Sequence, residues 1–289
     1  MSVKRKRAYS LREPENIYTR PANKILFIFL LAFFSLSAKA QLIDGTTGLL
    51  MMPSAEMQES GTFMISNSFL NKAYVENPPH NEYYWGYHTF GYGFSITFFS
   101  RLEVAYVCTI FNGDWSPYAK SYRAKIMKNQ DRHFAARVQA LKEGEFGWKW
   151  MPSVVLGVSD PITSGRDYLD DNVGAESNGF FNRFYIAAAK HFDTPVGVVG
   201  AHAAYQYTRR KYIIPKGPCF GVTWNPVWLN REDSFLSSFR VIAEYDAKEV
   251  NVGVTASIWK DHFEFWACLQ GCQYFNGGVR FKVVLAGAK

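Results

Sequence analysis

Between Val250 and Ile258 the side chains alternate without a break. Val, Val, Val, Ala and Ile fall on one side, and Asn251, Gly253, Thr255 and Ser257 on the other. Successive residues of a strand point to opposite faces, so a period of two sets one face against something oily and the other against something polar. Nine residues is also about the length a tilted strand needs to cross the hydrocarbon layer of a bilayer. The neighbouring stretches repeat the pattern. Phe239, Val241, Ala243 and Tyr245 oppose Arg240, Glu244 and Asp246; Phe263, Phe265, Ala267 and Leu269 oppose His262, Glu264 and Cys268; Val279, Phe281, Val283 and Leu285 oppose Arg280 and Lys282.

The same reading runs back along the chain. A first strand is expected from Gly61 to about Ala73, then a hairpin from Trp85 to Phe99 and Leu102 to Cys108. Next come Phe134–Ala140, Val154–Val158, Phe181–Lys190, Val196–Tyr207 and Gly217–Asn225. Asn77-Pro78-Pro79, the polar run from Asn112 to about Arg132, and the Asp-, Asn- and Gly-rich run after Asp160-Pro161 read as loops, since proline lacks a ladder donor and these residues favour turns. The count is about twelve. Long and short connections alternate over the first half, as in outer-membrane barrels with long outer loops and short periplasmic turns. No helical period long enough for a second domain appears, and no internal repeat.

Alternation alone also suits a soluble sandwich with its apolar face buried. Three features favour lipid outside, the first being the export leader described below. Aromatics make up 17% of the chain and gather at strand ends (Phe98, Phe99, Trp148, Trp150, Trp224, Trp228, Trp259, Tyr274, with Tyr83, Tyr84 and Trp85), where interfacial girdles sit. The polar faces of consecutive strands carry ionised residues, which a sandwich core could bury only at great cost. The expected fold is all-β, a single antiparallel transmembrane barrel of about twelve strands over residues 61–289. A turn-rich opening segment, residues 41–60, precedes it.

The net charge of +7 invites a nucleic-acid reading, but its distribution removes it. Residues 1–40 hold eight basic residues against Glu13 and Glu15, so the leader supplies +6 and the remainder only +1. Lys24 ends a basic stretch, Ile25–Leu36 is an apolar core, and Ala38-Lys39-Ala40 offers a small-x-small cleavage site. That is the layout of a cleaved signal peptide, and the apolar run is too short to span as a helix. Export permits disulfides among Cys108, Cys219, Cys268 and Cys272. No trusted zinc spacing is present, and the simplest reading is four free thiols behaving as small hydrophobes.

Signs of catalysis are thin. There is no G-x-S-x-G elbow and no His-x-Ser pair. The histidines (His80, His88, His133, His191, His202, His262) are scattered and read as surface or lumen residues. Asp160, Asp167, Asp170 and Asp171 lack the EF-hand pattern and read as solvated loop acids. The site expected instead is a polar lumen lining of Arg137, Arg240, Glu244, Glu264, Arg280 and Lys282. It reads first as a charge ladder that fills the hollow and fixes register, and second as a passage or groove for an anionic or hydroxyl-rich glycan. No catalytic residue, cofactor or metal is expected.

Four stretches, in this order, carry a family resemblance. They are Gly45-Thr-Thr-Gly-Leu-Leu-Met-Met-Pro53-Ser-Ala55 running to Gly61; Pro152-Ser-Val-Val-Leu-Gly-Val-Ser-Asp160; Phe184-Tyr-Ile-Ala-Ala-Ala-Lys190; and Glu244-Tyr-Asp followed by Val250-Asn-Val-Gly253. Together they resemble the YjbH family of outer-membrane β-barrel proteins associated with exopolysaccharide production. The resemblance implies an envelope role tied to surface polysaccharide, without implying a reaction. The expected protein is therefore a non-enzymatic outer-membrane barrel in envelope or exopolysaccharide production or export, as an accessory, narrow pore or structural component. Its expected partners are outer-membrane lipid and polysaccharide or export machinery. The alternatives are a membrane-embedded hydrolase with its active site in the outer loops, and a secreted adhesive sandwich.

Overall fold

Apolar residues spaced by two and broken by Gly, Pro and Asn become twelve strands in the computed structural model, which describes residues 44–71, 73, 88–112, 128–161, 181–209, 215–229 and 234–285. The first six are β1 (Thr62–Leu70), β2 (Thr89–Phe98), β3 (Leu102–Asn112), β4 (Lys128–Leu141), β5 (Ser153–Ser159) and β6 (Arg183–Thr194). The rest are β7 (Gly197–Tyr207), β8 (Gly217–Pro226), β9 (Leu236–Tyr245), β10 (Val250–Ile258), β11 (Phe263–Gln270) and β12 (Tyr274–Val284). Each strand pairs antiparallel with the next. β12 then returns to β1, with Thr62 opposite Val284 and Phe69 opposite Gly277. The sheet is a closed barrel. Closure satisfies both edges of the ribbon and rules out the two-layer sandwich.

The period of two decides what faces where. Ile65, Phe94, Phe134, Leu156, Ile186, Phe220, Val222 and Phe265 all point outward and are exposed. A continuous apolar band of this kind, on a barrel with no free edge, suits hydrocarbon and not water. The inward positions are polar: Ser95, Thr97, Arg137, Arg183, Arg240, Glu244, Asn251, Thr255, Ser257, Glu264 and Arg280 are all buried. Outside and inside are thus chemically opposite, as the alternation demands.

Antiparallel order sorts the connections to two ends. One end gathers the tight turns at Phe99–Ser100, Pro195–Val196 and Trp259–His262, with the 142–152 connection and the 3-10 turn Val227–Leu229. Exposed Phe99, Trp148, Trp150, Trp228 and Trp259 decorate this short end, with Trp224 and Trp228 edge to face at 5.5 Å. The opposite end carries the longest connections, after β1, β3 and β5, with shorter ones at 208–216, 246–249 and 271–273.

Several boundaries move. β4 begins at Lys128, ahead of the expected Phe134, because Lys128–Arg132 continue the ladder against Asn112–Cys108 of β3. All five are polar and show no alternation, so the strand signal fades while the pairing goes on. On the β6 side the β6–β7 hairpin also runs four residues past the expected Lys190, pairing Thr194 with Gly197. All four cysteines are free thiols, Cys272 exposed and the other three buried. Asp160 is buried, not solvated. The leader, Tyr83–Trp85, Asp167, Asp170, Asp171 and His80 lie outside the described residues.

Candidate functional site

The hollow of the barrel is filled by the chain's own opening segment. From Asp44 to Gln58 every residue is buried. The middle of it, Leu49-Leu50-Met51-Met52, forms a small hairpin closed by the Gly48–Pro53 bridge and by Leu49 N–H donating to Met52 O at 3.1 Å. Four long aliphatic side chains in a polar hollow need apolar company. They join Val155, Phe181, Tyr185, Ala187, Ile242 and Trp266, inward-facing exceptions to the polar lining, in one cluster. The wall is also cut to fit. An added Cβ at Gly221 would lie 2.6 Å from Leu49 Cδ1, and one at Gly253 would lie 2.9 Å from Leu50 Cδ1. Glycine at both inward positions lets the hairpin approach the backbone of β8 and β10.

A tight hairpin leaves backbone donors with no partner of their own, and buried donors must find one. Here a wall carboxylate supplies it. Glu244 of β9 accepts from Leu50 N–H at 3.0 Å, Met51 N–H at 2.6 Å and Met52 N–H at 3.3 Å. Glu103 of β3 does the same for Thr47 N–H at 3.0 and 3.2 Å. Arg137 of β4 donates to the carbonyls of Thr47 and Glu56, and its Nε lies 3.5 Å from Glu103. Arg183 of β6 binds Asp44 Oδ2 at 2.6 Å and the Met51 carbonyl at 3.3 Å. Burial would raise the Asp44 carboxyl, yet Arg183 and Thr46 hold it below its ordinary value.

Nearer the short end, Glu56 of the same segment is gripped from two sides. Arg240 Nη1 of β9 donates to Oε2 at 2.8 Å, and His191 Nε2 of β6 meets Oε1 at 3.0 Å. The other nitrogen of His191 meets Glu143 Oε2 at 2.7 Å, and Lys190 Nζ reaches Glu143 Oε1 at 2.8 Å. Burial pushes Glu56 up, but Arg240 first and then His191 hold it well below the usual carboxylate range. Glu143, in the connection after β4, likewise overcomes its partial burial through His191 and Lys190 and falls to about 2. His202 of β7 completes the group, its Nδ1 3.1 Å from Ser54 Oγ and its Nε2 3.2 Å from Thr223 Oγ1. A cavity of about 380 Å³, lined by Glu56, Gln58, Gln139, Lys142, Glu143 and His191, leads to this group from the short end. The segment leaves the hollow there, clamped where Ser60 N–H donates to Ser100 Oγ and Phe99 N–H to Ser60 Oγ, at 2.8 and 3.0 Å.

All six residues expected to line the lumen are buried in it, but they divide into two sets. Arg137, Arg240 and Glu244 hold the inserted segment. Glu264, Arg280 and Lys282 pair with each other: Arg280 with Glu264 directly across β11–β12, and Lys282 Nζ with Glu264 at 3.1 Å and Asp261 at 2.9 Å. Sequence reasoning missed Asp44, Glu56, Glu103, Arg183, His191 and His202. Glu103 and Arg183 sit in the polar phase of their own strands, a signal that was available. His191 and His202 straddle the β6–β7 turn, and their register (His191 opposite Gly200, Ala189 opposite His202) makes them diagonal neighbours on the inner face. For Asp44 and Glu56 nothing local signals that a turn-rich segment folds inward.

A KdgM porin in complex with disordered oligogalacturonate is similar at 10% identity and a TM-score of 0.39, covering 76% of this chain and 98% of the porin. LpxR from Salmonella typhimurium is similar at 12% identity and a TM-score of 0.36, covering 76% of this chain and 99% of its own. No curated protein matches the chain in sequence. The family model described as exopolysaccharide biosynthesis protein YbjH matches residues 43–281, from the inserted segment to the last strand. The chain therefore belongs to the YjbH family.

Proposed function

We propose that this protein is a non-enzymatic outer-membrane barrel that serves exopolysaccharide production as an accessory to export, with its passage closed at rest by residues 44–58. The observation that carries the reading is the filled hollow. Backbone donors of the segment are bound by Glu244 and Glu103, and its carbonyls and carboxylates by Arg137, Arg183 and Arg240. The outward apolar belt and the absence of a sheet edge suit the outer membrane, where only closed barrels span as strands. The family supplies the link to exopolysaccharide.

The hydrolase alternative rests on less. Ser54 and His202 are in contact at 3.1 Å, the nearest approach to a nucleophile–base pair among the described hydroxyls and histidines. The far nitrogen of His202 faces the Thr223 hydroxyl and not a carboxylate, and Ser54, itself part of the inserted segment, is fully buried. Such a pair lacks both the orienting anion and the room for a substrate. Deleting the gene and measuring surface glycan tests the proposal. Glycan is expected to fall, and to recover with the parent chain and with Ser54→Ala alike. Intact glycan in the deletion strain would contradict the export role, and failure of Ser54→Ala to restore it would contradict the non-enzymatic one.

A further inference from the structure

Glu56, His191 and His202 each present a ligand atom to a common point, all within 4.8 Å of one another. We infer that this trio is a binding site for a divalent first-row metal ion, Zn²⁺ being the best match, which staples the inserted segment to the barrel wall. Two imidazoles and one carboxylate are the donor set that suits Zn²⁺, leaving a fourth position for water. The inference goes beyond the role in exopolysaccharide production and does not depend on it.

Three features set this trio apart from a chance meeting of polar groups. First, every ligand is held from behind, as metal ligands are. Glu56 keeps Oε2 on Arg240 while Oε1 faces His191; His191 keeps Nδ1 on Glu143 while Nε2 faces Glu56. Whichever nitrogen of His202 binds, the other has a hydroxyl partner, Ser54 Oγ or Thr223 Oγ1. Second, the backbone makes room. A Cβ at Gly200 would lie 2.3 Å from Thr223 Oγ1, 2.7 Å from His202 Nε2 and 3.1 Å from His191 Cδ2, so glycine opens the wall where the two imidazoles converge. Third, Glu56 and His191 line the cavity of about 380 Å³ reached from the short end, which gives an ion and its water a route to two of the three ligands.

The exchange balances simply. His191 stands between two carboxylates, at 3.0 Å from Glu56 and 2.7 Å from Glu143. The ion replaces the proton shared by Nε2 and Glu56, and that proton leaves with solvent through the cavity. Glu56 belongs to the inserted segment, whereas His191 and His202 belong to β6 and β7. One ion therefore adds a further tie between the segment and the wall, close to the Arg240 contact.

The test uses the full chain refolded in detergent micelles, with Cys272→Ser to remove the exposed thiol. Zn²⁺ is titrated in competition with a chromophoric chelator, and Co²⁺ is used as an optical probe. The expected result is one Zn²⁺ per chain, lost in His191→Ala and in Gly200→Val while the heat-modifiable gel shift of the folded barrel persists. Co²⁺ in the otherwise parental barrel is expected to give the strong visible bands of a tetrahedral site, which needs no ligand variant to fold. Absence of Zn²⁺ binding, binding that survives both substitutions, or a weak octahedral Co²⁺ spectrum would each overturn the assignment.

Discussion

The two sectors of the lumen wall use their charges differently. From β3 through β9, Glu103, Arg137, Arg183, Arg240 and Glu244 turn toward the inserted segment and bind it. Across β11 and β12, Glu264, Arg280 and Lys282 bind one another and the turn residue Asp261, and Arg280 lies over the Trp266 ring at 5.4 Å. The first set joins two parts that are far apart in sequence; the second joins neighbouring strands. Charge on a barrel's inner face therefore says little by itself about a passage. The partner of each charge decides whether it holds a closure in place or holds the wall together.

The strongest way to break this distinction is Glu244→Ala. It strands three hairpin N–H groups at once, and each buried unsatisfied group costs about 1–3 kcal/mol. In a planar bilayer the variant is expected to open frequently where the parent stays shut. Silence equal to the parent's would show that Glu244 does not hold the closure. Next comes Arg280→Ala, which leaves Glu264 with Lys282 alone as its cationic partner among the contacts described. Breaking a buried pair costs about 3–5 kcal/mol, so thermal unfolding in detergent is expected at lower temperature with conductance still near zero. Channel opening in this variant would erase the difference between the sectors.

Smaller again is Gly221→Ala. The new methyl meets Leu49 Cδ1, a flexible side-chain end, and overpacking of this sort costs about 1–3 kcal/mol. Brief openings are expected in single-channel records, and none in Gly277→Ala, on the β11–β12 side. The mildest effect is that of acid. Asp44 and Glu56 are held below their free values of 3.8 and 4.5, so their contribution to closure is complete above those values. It is lost only as pH falls through the depressed ones. The difference in conductance between the parent and the Asp44→Asn or Glu56→Gln barrels should therefore persist from pH 8 to pH 5 and shrink only at still lower pH; a difference lost between pH 7 and pH 6 would contradict these assignments.

Much of the barrel was legible in the sequence because lipid on one side and polar groups on the other impose a strict period. Val250–Ile258 announces both its face and its length, and Arg240, Glu244, Glu264 and Arg280 fall in the inward phase without exception. The signal weakens where alternation stops, as at Lys128–Arg132, where an all-polar run still pairs with β3. The insertion of residues 44–58 was barely legible. Gly45–Ala55 reads as turns because it is turns, and no periodicity tells a turn on the surface from one packed inside a hollow. Its apolar quartet Leu49–Met52 was the available hint, since four such residues in a row need burial somewhere. The Glu56–His191–His202 group was equally hidden, being assembled from a loop and two strands. Only the hairpin register brings its two histidines together.

The most direct measurement compares the single-channel conductance of the refolded full chain with that of a chain lacking residues 44–58. The full barrel is expected to be closed, and the shortened one to show a steady ohmic current through a hollow it no longer fills. Equal conductance in the two, with both barrels folded by gel mobility, would contradict the claim that this segment is what closes the barrel.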